Sequence, residues 1–424
     1  MRNNKEVKRF EDKSRMISCL NRFQVVLLLA GLTVMAAGSV FAQDYYYNRD
    51  YTFVFTPLGF TNHSGPGYAA ALGMGAVSFS QSGVMAGFYN PAVIGLETKN
   101  EIFLGGSFSH AFTRLYALTE DGSEELRFKA DSWKPEAGSL LFNIKKLRLA
   151  AGYGYFHNLS RPALSYSNYY PYTTELMNLN QEGNVHSLLL AASYPVSSKF
   201  AVGFSAGYVF GKVQSEFSRE SDWLYGISRE YNLKGIFYSV GLVFIPDERL
   251  RLGFSVRPAI HYRTEAVNTV SYFGGDTEEL NVKLLQEPTV FLAGILFMPV
   301  ENLKLAADLS LWGWGGVPRT SFPWFYSSTE LVEAPQTREN AVRLNLGSEY
   351  TVRISSGDSG DYLKIRAGYI LDPGDLNSRQ FLATGLGVQI GGIGLDLAAI
   401  VPLVPYLPDK VYSTVVNLGL SYNF

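Results

Sequence analysis

The chain has 424 residues, of which 47% are hydrophobic, 14% aromatic and 17% charged, and its formal net charge is −2. That balance offers no basic surface for nucleic acid. Low charge combined with 41 glycines, 27 tyrosines and 28 phenylalanines departs from the usage of soluble enzymes, and the length accommodates one large barrel or two to three soluble domains.

The N-terminus reads as a targeting segment. Lys5, Lys8, Arg9, Lys13, Arg15 and Arg22 precede an apolar run over 25–40, and Val40-Phe41-Ala42 places small residues at a cleavage position. Residues 1–42 are therefore expected to be a signal peptide, with a mature chain starting near Gln43. Met16 as the start gives a more typical signal length. The competing reading, an anchoring helix, conflicts with the shortness of the run and the cleavage pattern after it. The single cysteine, Cys19, leaves with this segment. The mature chain then has no disulfide, zinc–thiolate site or thiol nucleophile. No later run is long and apolar enough for a membrane helix, so any membrane crossing must be made by a closed barrel.

Residues 43–100 are rich in Gly, Ala and Ser, are broken by Pro57, Pro66 and Pro91, and do not read as paired strands. Beyond them, strands are expected near 101–116, 137–144, 147–156, 185–195, 199–213, 228–245, 249–263, 287–299, 302–314, 341–353, 361–371, 379–390, 393–400 and 411–424. The pattern is all-β: a transmembrane antiparallel β-barrel of about 14 strands over 101–424, preceded by the unpaired segment 43–100. The last strand alternates Tyr412, Thr414, Val416, Leu418, Leu420, Tyr422 and Phe424 against Ser413, Val415, Asn417, Gly419, Ser421 and Asn423. Leu250, Leu252, Phe254 and Val256 likewise oppose Arg251, Gly253, Ser255 and Arg257. Strand side chains alternate between faces. The charges fall on the non-lipid face, where they cost little, whereas facing mid-bilayer lipid they cost about 2–4 kcal/mol.

The connections sort by length. Short turns fall at 143–146, 195–198, 245–248, 299–302 and 391–392, with a longer one at 355–360. Between them lie loops 117–136, 157–184, 214–227, 264–286, 315–340, 372–378 and 401–410. Short turns at one end and longer loops at the other are a mark of membrane barrels, and an even strand count puts both barrel ends on the turn side.

The segment AALGMGAVSFSQSGVMAGFYNPAVIGL (70–96), with Asn90-Pro91-Ala92, resembles the N-terminal hatch of the FadL family of outer-membrane transporters for hydrophobic compounds. The hairpins SVGLVFIPDERLRLGFSVRP and FLAGILFMPVENLKLAADLSLW, and the pair VRLNLGSEYTV and LKIRAGYILDP, resemble that family's paired strands. The resemblance spans nearly the whole mature chain. It implies a fourteen-stranded barrel in the outer membrane of a diderm bacterium, plugged by the hatch. It also implies passive uptake of fatty-acid-like or aromatic molecules that leave sideways into the membrane at a kinked third strand. Gly73, Gly75, Asn90, Pro91 and Ala92 become the hatch and gating candidates, with the tripeptide near the gap. Gly152 and Gly154, in the third strand, become the lateral-gap candidates, or else they are ordinary barrel glycines. The loops after the fifth and seventh strands are modest for this family. Aromatic residues concentrate elsewhere: Tyr166, Tyr169, Tyr170 and Tyr172 in one loop, and Trp312, Trp314, Phe322, Trp324, Phe325 and Tyr326 at another. They read as a landing site or as an interface belt, with belt favoured for Trp312 and Trp314.

Catalytic chemistry finds little support. Gly203–Gly207 reads GFSAG, the string of serine hydrolases, but it lies mid-strand with no helix to present Ser205. His63, His110, His157, His186 and His261 lack metal-ligand spacing, and Leu72-Gly73-Met74-Gly75 lacks the features of a phosphate loop. No cofactor is expected. Arg251, Arg257, Arg343, Lys364 and Arg366 face the lumen. They would hold a carboxylate head, or pair with Asp308 and Glu349 to fix the wall and hatch, the reading favoured here. Expected partners are hydrophobic small molecules and outer-membrane lipids. Two other functions compete: a barrel scaffold with a secreted or surface protein partner, and an outer-membrane lipid hydrolase, for which no residue spacing speaks.

Overall fold

The structure is a computed structural model that describes residues 71, 73–75, 77–119, 122–158, 161–170, 173–220, 225–271, 277–279, 286–313, 340–354, 361–372, 379–403 and 412–424. The expected signal segment, residues 43–70, Tyr172, Trp314 and the Trp324 loop lie outside the described residues, as do the side chains of Tyr166, Tyr169 and Tyr170.

Fourteen strands form the wall. They are β1 (Glu101–Thr119), β2 (Gly122–Ile144), β3 (Leu147–Asn158), β4 (Thr173–Ser197), β5 (Phe200–Glu220), β6 (Tyr225–Asp247) and β7 (Leu250–Arg257). The second half is β8 (Val290–Val300), β9 (Leu303–Trp312), β10 (Ala341–Arg353), β11 (Tyr362–Asp372), β12 (Arg379–Ile390), β13 (Ile393–Pro402) and β14 (Tyr412–Asn423). Each pairs antiparallel with its sequence neighbours, and β14 returns to β1 from Glu101↔Asn423 to Phe112↔Tyr412, closing the cylinder. Closure matters because an open sheet edge in lipid would leave backbone N–H and C=O groups without partners.

The alternation read from the sequence sets the two faces. Leu395, Leu397, Leu418, Leu420 and Tyr422 are exposed on the outside, while Asp396, Ala398, Asn417 and Ser421 are buried inside. An apolar exterior around a polar bore is the arrangement of a barrel set in a bilayer. Two-residue turns join β2–β3, β4–β5, β6–β7, β8–β9 and β12–β13 at one end. In the β6–β7 turn the Asp247 carboxylate accepts the N–H groups of Arg249 and Leu250 at 2.7 and 3.0 Å, an Asx turn that fixes the hairpin.

At the other end the strands run further than the hydrophobic pattern indicates. β1 and β2 pair up to Thr119↔Gly122 and β5 and β6 up to Arg219↔Tyr225, so most of 117–136 and 214–227 is strand. Arg161–Tyr170 pairs with the outer part of β4, and Arg263–Ser271 with β6. Beyond the membrane both faces of a hairpin meet water. The backbone ladder continues there, but nothing selects an apolar face, and the periodic signal fades.

Inside the barrel the described part of the expected hatch comprises a 3-10 turn (Ser78–Ser80), helix α1 (Gly83–Tyr89) and a second 3-10 helix (Pro91–Leu96). Helix α1 buries Val84, Met85, Ala86 and Phe88, which pack with Phe103, Leu141, Leu189, Val209 and Phe237 of the wall. A helix apolar on every side belongs in a core. Replacing exposed Leu397 with Arg is expected to lower unfolding stability by about 2–4 kcal/mol in lipid vesicles. A urea titration followed by tryptophan fluorescence checks this; an unchanged midpoint would place Leu397 away from lipid.

Candidate functional site

The hatch is seated by small residues of the wall. Inward serines meet its backbone. Ser139 Oγ accepts the Val84 N–H at 2.8 Å, and Ser205 donates to the Gly87 carbonyl at 2.7 Å. Ser193 donates to the Ala92 carbonyl at 3.3 Å and Ser255 to that of Tyr89. A serine is short enough to let the backbone come close and still supplies the hydrogen bond a buried carbonyl needs. This is the role of Ser205 in the GFSAG string.

Glycines supply the space. A Cβ at Gly203 would lie 2.3 Å from the Ala92 nitrogen and the Pro91 carbonyl carbon, and one at Gly241 would lie 2.0 Å from Asn90 Oδ1. Asn90 is fully buried. Its Oδ1 caps the second 3-10 helix by accepting the Ala92 N–H at 3.0 Å, and its Nδ2 donates to the Leu242 carbonyl at 3.1 Å. A second cradle holds the hatch start. Gly75 adopts φ +73°, a region glycine enters without strain, and approaches Gly368 of β11, while Met74 lies on Gly347 of β10 and Gly73 on Gly385 of β12.

The tripeptide therefore rests on β4–β7, away from the expected third strand. What covers β3 is α1. A Cβ at Gly152 would meet Val84 at 2.9 Å and the Gly138 carbonyl at 2.1 Å, and one at Gly154 would meet Phe88 and Met85 at 3.0–3.1 Å. Both glycines serve close approach of the hatch. The irregularities of the wall lie beside them. In β2 the pairing with β1 steps from Ala137 to Pro135, leaving Glu136 as a bulge; in β3 the pairing with β4 steps from Tyr155 to His157, leaving Phe156 as a second bulge. The β2–β3 ladder runs from Ile144↔Leu147 to Ala137↔Gly154, and no further pair of these strands forms among the described residues. A bulge terminates pairing, and Pro135 has no N–H to continue it. The wall thus has a seam above Gly154.

The seam has polar groups on both sides. The Lys134 ammonium of β2 reaches across it, 2.8 Å from the Tyr155 hydroxyl and 2.7 Å from Asn184 Oδ1. Tyr153 and His186 share a hydrogen bond of 2.6 Å. Inside, Phe88 of the hatch packs with Phe156 and Phe237 at centroid distances of 5.4 and 5.2 Å. The strand pattern pointed to neither Pro135 nor Lys134, because it left 117–136 in a loop; Pro135 is the signal that was available.

The lumen arginines sort into distinct surroundings. Arg366 donates to Glu349 and Asp396, each at 2.7 Å, and Lys304 reaches the other Glu349 oxygen at 2.7 Å. Arg343 donates to Asn345 at 3.0 Å. Arg257 pairs with Glu287 at 3.3 Å and lies over the Phe156 and Trp312 rings at 5.9 and 5.3 Å. The Arg251 Nε has no hydrogen-bond partner among the described residues. Asp308 accepts from the Ser78 hydroxyl at 3.0 Å, joining β9 to the hatch. Arg366, Glu349 and Asp308 thus form the wall-and-hatch network, while Arg257 sits nearest the lumen aromatics.

No protein-family model matches the sequence, and no curated protein matches it significantly. Solved structures do match. The toluene transporter TbuX of Ralstonia pickettii superposes with a TM-score of 0.60 at 16% identity, covering 88% of this chain and 100% of that one. This chain shares its fold. The toluene transporter TodX of Pseudomonas putida gives a TM-score of 0.61 at 18% identity, covering 84% and 98%. A Pseudomonas aeruginosa FadL homologue gives 0.61 at 15%, covering 86% and 100%.

Changing Glu349 to Ala removes the carboxylate shared by buried Arg366 and by Lys304. The expected cost is about 3–5 kcal/mol of unfolding stability, that of leaving one member of a buried ion pair. Ser205→Ala is expected to cost about 1–3 kcal/mol, that of leaving the buried Gly87 carbonyl without its donor. Urea unfolding of the two variants in detergent checks the order; a larger loss at Ser205 would contradict it.

Proposed function

We propose that this protein is an outer-membrane channel for passive uptake of small hydrophobic molecules, fatty-acid-like or aromatic. The N-terminal segment is cleaved on export, and the hatch occupies the bore. The solute passes the lumen aromatics and leaves sideways through the seam between β2 and β3. The observation that carries this reading is the ladder between β2 and β3 that stops at Ala137↔Gly154, beside α1, in a wall that β14 and β1 close around an apolar exterior. A solute that dissolves in lipid gains nothing from crossing a wet bore to the far side. A side exit delivers it to its preferred solvent. The fold shared with toluene transporters supports the same class of cargo.

The hatch belongs to the gate in this reading. Val84, Met85 and Phe88 lie against Gly152 and Gly154 at the inner side of the seam, so a small movement of α1 opens the bore toward lipid. Asn90-Pro91-Ala92, seated on its glycines, is the pivot that stays. Arg251 and Arg257 are the lumen cations placed to meet a polar head, Arg343 and Arg366 being engaged with the wall. No catalytic step is part of this reading.

Deleting Glu136 and replacing Pro135 with Val removes the bulge and restores the missing N–H without changing the register of the outer part of β2 against β1. In proteoliposomes, toluene uptake by this variant is expected to fall to the rate of protein-free vesicles, while wild type exceeds that rate. Uptake equal to wild type would contradict side exit. Wild type no faster than empty vesicles would contradict the channel itself.

A further inference from the structure

The register of β4, β5 and β6 sorts the outward side chains into rows that cross the strands. Leu189, Val209, Val213, Leu233 and Phe237, which alternate with them, are buried inside. Leu188, Tyr208 and Ile236 stand side by side and exposed. The next row toward the long hairpins holds His186, Phe210 and Lys234, with Arg263 paired to Lys234. Asn184, Lys212 and Asn232 follow, and Lys134 of β2 joins them by reaching Asn184 Oδ1 at 2.7 Å. Beyond these come Glu182, Gln214 and Glu230. Among the described side chains the outer surface thus turns from apolar to cationic and then to acidic.

Two observations set the edge of the hydrocarbon at the cationic rows. Tyr208 and Tyr238, each 45% exposed, lie just beneath them, as tyrosines of an interface belt do. The ladder on the β7 side of β6 is also open here. It passes from Val240↔Val256 to Lys234↔Arg263 with no pair between them among the described residues, and Pro258 in that stretch has no N–H to offer. Backbone left open in this way needs water or headgroups within reach. At the outer end of the opening, exposed Lys234 and Arg263 stand directly across from each other. Like charges so placed destabilise a strand pair, and an anion held between them offsets that repulsion. Lys212 pairs with Glu230 at 2.9 Å, but both are well exposed, so that pair contributes little.

We propose that these cations form a binding site for a lipid of the outer leaflet whose sugar headgroup carries phosphate monoesters. A phosphate monoester brings nearly two negative charges and three strong acceptor oxygens. One such group fits between Lys234 and Arg263, where the guanidinium offers two parallel N–H donors. A second phosphate on the same headgroup meets Lys212 and Lys134 one row further out. A phosphodiester lipid has one phosphate and one charge, and leaves that second row unmatched. The acyl chains run down over Leu188, Tyr208 and Ile236, which also line an outward hollow of about 850 Å³. Glu182 and Glu230 repel a phosphate placed any further out. The inference rests on the outer-membrane setting of the barrel, with the long hairpins outward, and is independent of side exit.

Native mass spectrometry of the full-length protein in detergent tests it. The titrants are a bisphosphorylated glucosamine-disaccharide lipid, the same lipid without phosphates, and phosphatidylglycerol. Saturable binding of the first is expected to be roughly tenfold tighter than that of either other lipid, the gain from charge-assisted contacts. Lys234→Gln combined with Arg263→Gln is expected to remove that advantage. The same change of charge at Lys199→Gln combined with Arg249→Gln, two exposed cations of the short turns, is expected to leave it intact. Phosphatidylglycerol binding as tightly as the bisphosphorylated lipid would overturn the inference, as would equal losses in the two double variants. Wild type that binds the lipid as described but takes up no toluene in vesicles would refute the channel and leave this site standing. Intact uptake without preferential lipid binding would do the reverse.

Discussion

A wall in lipid must satisfy its backbone hydrogen bonds within itself, since hydrocarbon offers no partners. Among the described residues the ladder is interrupted in two places: β6 leaves 235–239 unpaired on its β7 side between Val240↔Val256 and Lys234↔Arg263, and β2 and β3 part above Ala137↔Gly154, while β1 meets β14 and β3 meets β4 out to Asn158↔Asn184. The features beside β3 follow from the second interruption. Unpaired edges in the seam need polar neighbours, and Lys134, Tyr155 and Asn184 stand there. A weakened wall needs support from within, and α1 lies against β3 at Gly152 and Gly154.

The hatch is held by geometry more than by charge. Serines on β2, β4, β5 and β7 and glycines on β5, β6, β10, β11 and β12 let hatch backbone approach the wall closely. Ionic groups lie on β9, β10, β11 and β13, beside the glycines of β10–β12. Arg366, Glu349, Asp396 and Lys304 tie β9, β10, β11 and β13 together, and Asp308 links that side to Ser78. The two arrangements divide the bore. One side is a polar network that fixes the wall, and the other is an aromatic and aliphatic contact that faces the seam.

Strand number, closure and the identity of each face were legible in the sequence, because lipid and water impose different side chains on alternate positions. Leu395, Asp396, Leu397 and Ala398 carry that rule in four consecutive residues. The helical residues 78–96 were legible as a stretch that does not alternate. The outer parts of β2, β4 and β5 were not, since water bathes both of their faces. That blind zone includes Lys134 and Pro135, so the expectation turned to Gly152 and Gly154, either as lateral-gap residues or as ordinary barrel glycines. Those glycines are at the seam, but they accommodate α1, and the break in pairing comes from the bulge at Glu136 and the proline beside it. Likewise Asn90-Pro91-Ala92 stood out as a motif, yet its seat on Gly203 and Gly241 required the barrel to close before it was visible.

Proton-detected solid-state NMR of the protein in lipid bilayers measures amide–amide contacts across each strand pair, and so reads the seam directly. The β2–β3 contacts are predicted to extend from the Ile144–Leu147 turn to Ala137–Gly154 and to stop there, while β3–β4 contacts continue to Asn158–Asn184. Contacts between β2 and β3 that persist through Lys134 and Tyr155 would contradict the account, because the wall would then be sealed where the solute is said to leave.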